Sequence, residues 1–451
     1  MNKFVYATIV CCILSLSIAA SRVANVEAAF PTSVDSQITD SVTQASLSST
    51  DWPMFHHDLT HSGYTSSAGP TNNQILWQYT AASGLWCSPA IADGVVYAGG
   101  LFDHTMYAWD AFAGGMLWNF TTGGMIYSSP AVADNIVFFG SNDRQIYALN
   151  ATDGTKIWNY TTGDEVHGCP SIVNGVVYIC SSDFKMYALN ELDGALIWAY
   201  TAGNNVISSP AVVNGVIYFG SYDHYVYALN ASSSQQIWNF TTGAPVESSP
   251  CVANGVVYIG SYDNNTYALD ATNGKELWNV TTGYDLCVQA SPAYYNGILY
   301  TGGSFDNNIY AYNATNGDKL WNYTTNGGIF SAPAIAGNTV YVTSFDNSTY
   351  ALNAETGALL WTFQTKALLY SSPAVANGIL YVTSYDKNIY AIGELPSSTP
   401  TPPPTTTTET TSPTPMPTGK SAETNLIIAA VVIIIIVMAV AAVALNRRSR
   451  K

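Results

Sequence analysis

Eight tryptophans recur through most of this 451-residue chain at intervals of 40 to 43 residues: Trp77, Trp118, Trp158, Trp198, Trp238, Trp278, Trp321 and Trp361. Two further series keep step with them, prolines from Pro89 to Pro373 behind a small residue, and Tyr-Ala pairs from Tyr107 to Tyr390. A period near 40 with β-branched and aromatic content is that of propeller blades. The unit from Ser248 to Gly283 breaks into four short strand-like runs separated by turn residues, the number of strands in a blade.

The turns have a chemical reason. Asn254-Gly255 recurs as Asn174-Gly175, Asn214-Gly215, Asn296-Gly297 and Asn377-Gly378. Both central residues of a type I′ turn need positive φ, so each pair predicts a two-residue hairpin between the first two strands. An aspartate marks the next break in every unit: Asp103, Asp143, Asp183, Asp223, Asp263, Asp306, Asp346 and Asp386. Asp hydrogen-bonds its own backbone in turns, so these are read as turn formers and not as metal ligands.

The phase of the repeat predicts closure. The first Trp lies in Ile75–Thr80, ahead of the first proline, whereas the last unit stops at Tyr390-Ala391-Ile392 with no Trp after it. Residues 75–80 are therefore expected to be the outer strand of the eighth blade, completing the strands between about 369 and 392 and leaving no free sheet end. One Trp per blade then sits at each blade interface. On this reading Trp278→Ala destabilises the domain and Trp52→Ala matters less.

Outside the 75–392 propeller, residues 1–28 read as a signal peptide, with Lys3 before an apolar run and cleavage after Ala20 or Ala28. Residues 29–74 read as a lead-in segment, partly disordered. Residues 393–425 form a Thr/Pro-rich stalk, 426–445 an uninterrupted apolar transmembrane helix, and 446–451 a basic tail that places the C-terminus in the cytoplasm. The expectation is a single-pass cell-membrane protein with an extracellular propeller.

Charged residues are only 10% of the chain, yet the net charge is −16, and part of the basic complement lies in the tail. No basic stripe is left to meet phosphates, which argues against nucleic acid as a partner. Ten Asn-x-Ser/Thr sequons, at Asn119, Asn150, Asn159, Asn230, Asn239, Asn264, Asn279, Asn313, Asn322 and Asn347, offer N-glycosylation. Half of them are one Trp-Asn-x-Thr strand copied between blades. Five cysteines follow the signal: Cys87, Cys169, Cys180, Cys251 and Cys287. Counting outward from the Asn174-Gly175 turn sets Cys169 opposite Cys180, so a cross-strand disulfide is expected to be within reach. His56, His57, Asp58 and His61 offer four metal-type ligands in six residues, but no metal site is assigned to them. His104, His167 and His224 are dispersed among the blades and read as structural or solvated.

The segments ALDATNGKELW (Ala268 to Trp278), ALNATDGTKIW (Ala148 to Trp158) and ALNAETGALLW (Ala351 to Trp361) resemble the tryptophan-docking motif of the PQQ-repeat β-propellers. The unit ending at Trp238 lacks the glycine, and the unit ending at Trp118 lacks the threonine. The lead-in DWPMFHHDLTHSGY, Asp51 to Tyr64, is also similar to that of the family, where it reads as a docking strap. The resemblance implies an all-β, eight-bladed propeller of four antiparallel strands per blade, the eight tryptophans docking the blades.

For function the family divides into quinoprotein dehydrogenases, which hold PQQ with calcium at the ring axis, and scaffolds that bind no quinone. Units this short leave no insertion to build a pocket over the axis, and the only adjacent cysteines, Cys11 and Cys12, lie in the signal peptide. The expectation is a non-enzymatic surface scaffold for a protein or glycan partner. No catalytic, cofactor-binding or metal residue is assigned, and a PQQ-dependent dehydrogenase is the alternative.

Overall fold

The computed structural model describes residues 51–282 and 288–394. These form eight blades of four antiparallel strands, seven of them built from strands consecutive in sequence. The fifth blade is representative, with strands Cys251–Ala253, Val256–Gly260, Asn265–Asp270 and Glu276–Thr281 running from the axis to the rim. Its first hairpin turns on Asn254 and Gly255 at φ 50° and 76°, as a type I′ turn requires. The eighth sheet closes as expected: Ile75–Thr80 pairs antiparallel with Asn388–Gly393.

In each blade the turn aspartate does more than form its turn. Asp143 Oδ1 accepts the Gln145 N–H at 3.0 Å, and its Oδ2 accepts the Tyr147 hydroxyl at 2.6 Å. The same Oδ2 takes the Gly123 N–H of the preceding blade at 2.7 Å. Equivalent clamps at Asp183, Asp223, Asp263, Asp346 and Asp386 bind neighbouring sheets through a charged acceptor.

Each interface is fastened again by its tryptophan. Trp238 Nε1 donates to Ala271 O of the next blade at 2.9 Å, and Tyr218 donates its hydroxyl to the same oxygen at 3.1 Å. The indole lies so close to Gly274, at φ 71°, that a Cβ there would stand 2.6 Å from the ring. Glycine is required both for the left-handed backbone and for the approach. Indole-to-carbonyl bonds of 2.8 to 3.1 Å recur at Trp77, Trp118, Trp158, Trp198, Trp278 and Trp321. Trp361 faces a different partner, because the eighth blade takes its outer strand from Ile75–Thr80 and has no third-to-outer turn; there Pro70 O receives the Tyr341 hydroxyl at 3.2 Å.

Around the axis runs a belt of hydrogen bonds from the residue before each blade's proline. The backbone N–H of Ser88 donates to Ser129 Oγ, Ser129 to Cys169 Sγ, Cys169 to Ser209 Oγ, Ser209 to Ser249 Oγ and Ser249 to Ser291 Oγ, at 2.9 to 3.3 Å. Ala332 donates to Ser372 and Ser372 to Ser88, both at 2.9 Å. The belt is interrupted only where Ala332 offers Ser291 no side-chain acceptor. Ala332→Ser is therefore expected to stabilise the wheel by about 1 kcal/mol, and Ser88→Ala to cost about 1–3 kcal/mol by orphaning a buried N–H. Thermal melts of the two variants should move in opposite directions.

The disulfide that the register placed within reach is not formed: Cys169 and Cys180 are free, buried thiols. Proline at 170 ends the ladder, whose first pair is Ser171 with Tyr178, so the register does not extend back to Cys169. Cys169 turns into the belt instead, and Cys180 donates to Ser208 O at 2.7 Å. Trp52 also departs from expectation. It is 2% exposed and exchanges two backbone bonds with Ile91, at 2.9 and 2.8 Å, whereas Trp278 is only half-buried. Trp52 is part of the core.

Among the described residues no helix is long and apolar enough to cross a membrane. The signal peptide, the stalk from residue 395 onward, the span expected at 426–445, the tail and Cys287 all lie outside the described residues.

Candidate functional site

The inner strand of every blade is a sheet edge, with backbone N–H groups pointing at the axis and no sheet neighbour to take them. In six of the eight blades the lead-in segment takes one. Carbonyls of Pro53, Leu59, Thr60, Ser62 and Gly63 accept the N–H groups of Val132, Val212, Val252, Tyr294 and Ile335 at 2.7 to 2.9 Å. Each donor is the middle residue of an inner strand, and Tyr64–Thr65 adds to the seventh blade as a short parallel fifth strand. A segment this short reaches blades on opposite sides of the ring only by crossing the axis. It is a plug, and it leaves toward the Asn-Gly turns, where Ser67 Oγ accepts the Gly378 N–H at 2.9 Å.

The plug is wound around Asp58. Its carboxylate accepts from Thr60 N and Oγ1 at 2.9 and 2.6 Å, from Ser62 N and Oγ at 3.1 and 2.5 Å, and faces His57 Nδ1 at 3.4 Å. Burial opposes ionisation, but the His57 ring and the two hydroxyls outweigh it and hold the carboxyl well below the usual range. His56 donates from Nδ1 to His61 O at 2.9 Å, and His61 from Nδ1 to Pro250 O at 3.1 Å, so both are neutral Nδ1–H tautomers. Burial pushes His56 down to about 4 and His61 to about 3, the latter helped by His56 itself. The four polar residues thus organise a turn, and among the described residues no group of three or more His, Cys, Asp or Glu is placed to hold a metal.

At the other end of the axis the residue three positions before each proline forms a collar: Trp86, Tyr127, His167, Ile207, Glu247, Gln289, Phe330 and Tyr370. Neighbours touch around the ring. Tyr370 and Trp86 have centroids 4.7 Å apart, Trp86 and Tyr127 5.9 Å, Tyr127 and His167 5.1 Å, and Phe330 and Tyr370 5.8 Å. Residues just ahead of the turn aspartates extend this aromatic arc, Phe345 stacking on Phe330 at 4.3 Å and Tyr385 edging Trp86 at 5.9 Å. Phe102, beside Tyr385, is 59% exposed.

The opposite arc is polar. Glu247 Oε2 accepts the hydroxyls of Tyr222 and Tyr262, and the Gln289 amide at 2.9 Å. Gln289 Oε1 is buried and has no partner. Burial, then Glu247, raises the Tyr222 phenol far above its ordinary value, so it stays a donor at any physiological pH. His167 joins this side through Glu165 at 3.1 Å, while His104 and His224 are turn residues at φ 57° and 74°. The collar is built without any loop insertion. Its signal in the sequence was one variable position inside a repeated frame.

The sequons separate by role. Asn119, Asn159, Asn239, Asn279 and Asn322 are exposed on outer strands. Asn150, Asn230 and Asn313 spend their side-chain oxygens on the N–H two residues on, at 2.8 to 2.9 Å, and Asn264 and Asn347 hold left-handed turn positions at φ 70° and 72°. Cys87 and Cys251 are buried free thiols, and burial raises Cys87 to about 12, where it is unreactive near neutral pH.

Among the described residues, eight docked blades, a belt, a plug and a collar define a closed propeller with an axial mouth at the collar. The sequence profile described as outer membrane protein assembly factor BamB matches residues 62–209, 187–329 and 306–395, and the chain belongs to this PQQ-repeat propeller family. No curated protein matches the chain. Among solved structures, BamB from Moraxella catarrhalis is similar at 18% identity and TM-score 0.61, covering 72% of this chain and 98% of that one. A europium-containing methanol dehydrogenase is similar at 12% identity and TM-score 0.66, covering 74% and 90%. The quinohemoprotein alcohol dehydrogenase from Comamonas testosteroni is similar at 15% identity and TM-score 0.65, covering 77% and 82%. At such identities the likeness is one of fold, and it spans scaffold and enzyme alike.

Proposed function

We propose that the protein is a cell-surface binding module: an extracellular propeller on a Thr/Pro stalk, held by one membrane helix at 426–445, that presents its faces to a protein or glycan partner. The observation that carries this reading is the collar. Eight side chains at one repeat position differ from blade to blade while the frame around them is copied, which is how a repeat scaffold acquires a specific surface. Exposed sequon asparagines on the rim and the acidic wheel, with Arg144 as its one arginine, fit a protein displayed outside the cell.

The residues at the axis do not suit the quinone of the dehydrogenase branch. PQQ carries three carboxylates, whereas the collar positions hold no Lys or Arg and one carboxylate, Glu247, already engaged by three donors. Anionic ligand beside Glu247 is repelled, with no counter-charge in the collar. Crosslinking on intact cells with a membrane-impermeant reagent is expected to join the propeller to a saturable external partner, and calorimetric titration with PQQ and calcium to give no binding heat. Micromolar PQQ binding, or a propeller that crosslinks to nothing, would overturn the reading.

A further inference from the structure

The axial mouth combines three properties. It is blind, because the plug reaches Pro250 and Val252, at the level of the inner strands just beneath Glu247. At about 3.3 Å per extended residue the mouth is roughly 10 Å deep. One wall is aromatic, with Trp86, Tyr127 and Tyr370 in contact and half-buried. The facing wall carries a carboxylate fixed by three donors, Tyr222, Tyr262 and the Gln289 amide. We infer that this mouth takes the end of a neutral glycan.

The chemistry of a sugar ring fits each wall. Its axial C–H groups form an apolar face that packs on indole and phenol rings, whose π clouds are negative. Its hydroxyls donate to a carboxylate oxygen in a charge-assisted bond. The absence of Lys and Arg from the collar, with Glu247 at its edge, selects against uronic, sialic or sulfated sugars. Closure below the collar selects for a chain end over a strand threaded through the wheel. This inference rests on the binding-module reading and names the ligand of the same site.

The test is titration of the full chain with mannobiose, cellobiose and N,N′-diacetylchitobiose, followed by calorimetry and tryptophan fluorescence, with trigalacturonate and choline in parallel. At least one neutral disaccharide is expected to bind saturably and change the fluorescence. Trp86→Ala and Glu247→Gln should each weaken that binding roughly tenfold or more, equivalent to about 1.4 kcal/mol, while Ile157→Ser on the rim leaves it unchanged. Glu247→Gln conserves shape and decides the matter if Trp86→Ala lowers the melting temperature. No binding of any neutral sugar at millimolar concentration overturns the inference. So does choline occupying the mouth by cation–π contact, or sugar binding indifferent to both collar variants. If the sugars fail while the crosslinked partner on cells persists, the glycan assignment falls and the binding module stands; if both fail, the functional reading falls with it.

Discussion

Acidification from pH 6.5 to 4 is expected to loosen the plug and lower the melting temperature of the wheel steeply. His56 and His61 are 2% and 1% exposed, and burial lowers them from 6.5 to about 4 and about 3. Phe55 covers both rings at 4.7 and 5.7 Å, and His56 Nε2, the atom that would take the proton, is buried without a partner. A histidine whose folded pKa lies below its unfolded value gains its proton on opening. Stability is therefore full above pH 6.5 and is withdrawn as pH falls toward the folded values. At 1.36 kcal/mol per unit each ring removes on the order of 3 kcal/mol across that window. Asp58 acts in the same sense but lower down: its depressed carboxyl stabilises above its unfolded value of 3.8, and that contribution is lost only as pH falls further. His56→Asn and His61→Asn keep a side-chain donor at residues of φ 59° and 54°, which Asn tolerates, and remove the titration. Melting curves from pH 8 to 4 should be flatter for both variants than for the parent. An unchanged pH slope in the double variant would refute the assignment of the window to the plug.

Removing one docking tryptophan is expected to have the next largest effect. Trp238 is 7% exposed, and truncation to Ala leaves a cavity between two sheets at a cost of about 3–5 kcal/mol. Gly274→Ala attacks the same contact from the other side, by placing a methyl 2.6 Å from the ring at φ 71°. Left-handed backbone alone costs a non-glycine residue about 1–2 kcal/mol. Both changes should lower the melting temperature strongly. Trp361→Ala should lower it less, because that indole is half-buried at an interface without the third-to-outer turn. Equal losses at Trp238 and Trp361 would contradict this account of docking.

What repeats was legible in the sequence, and what does not repeat was missed. Asn-Gly pairs, turn aspartates and tryptophans each answer a backbone or packing need that recurs in every blade, so the period led to the sheets and the stray Trp77 to the closure. The collar varies from Trp86 to Glu247 to Phe330 at one position, and a search for sameness passes over it. The plug has no period, and its pairing with six inner strands depends on contacts distant in sequence. Counting a register from the Asn174-Gly175 turn failed for Cys169 because a hairpin ladder holds only while both chains can donate, and Pro170 cannot.

The plug and the eighth outer strand also set an order of assembly. Ile75–Thr80 has no partner until Asn388–Gly393 has been made, and the plug's carbonyls have few donors until the blades from the fourth to the seventh exist. The earliest folded stretch of the chain is thus held open through synthesis of nearly everything that follows. Its loop-closure entropy is met only at the end, when ring and axis complete one another in a single late step.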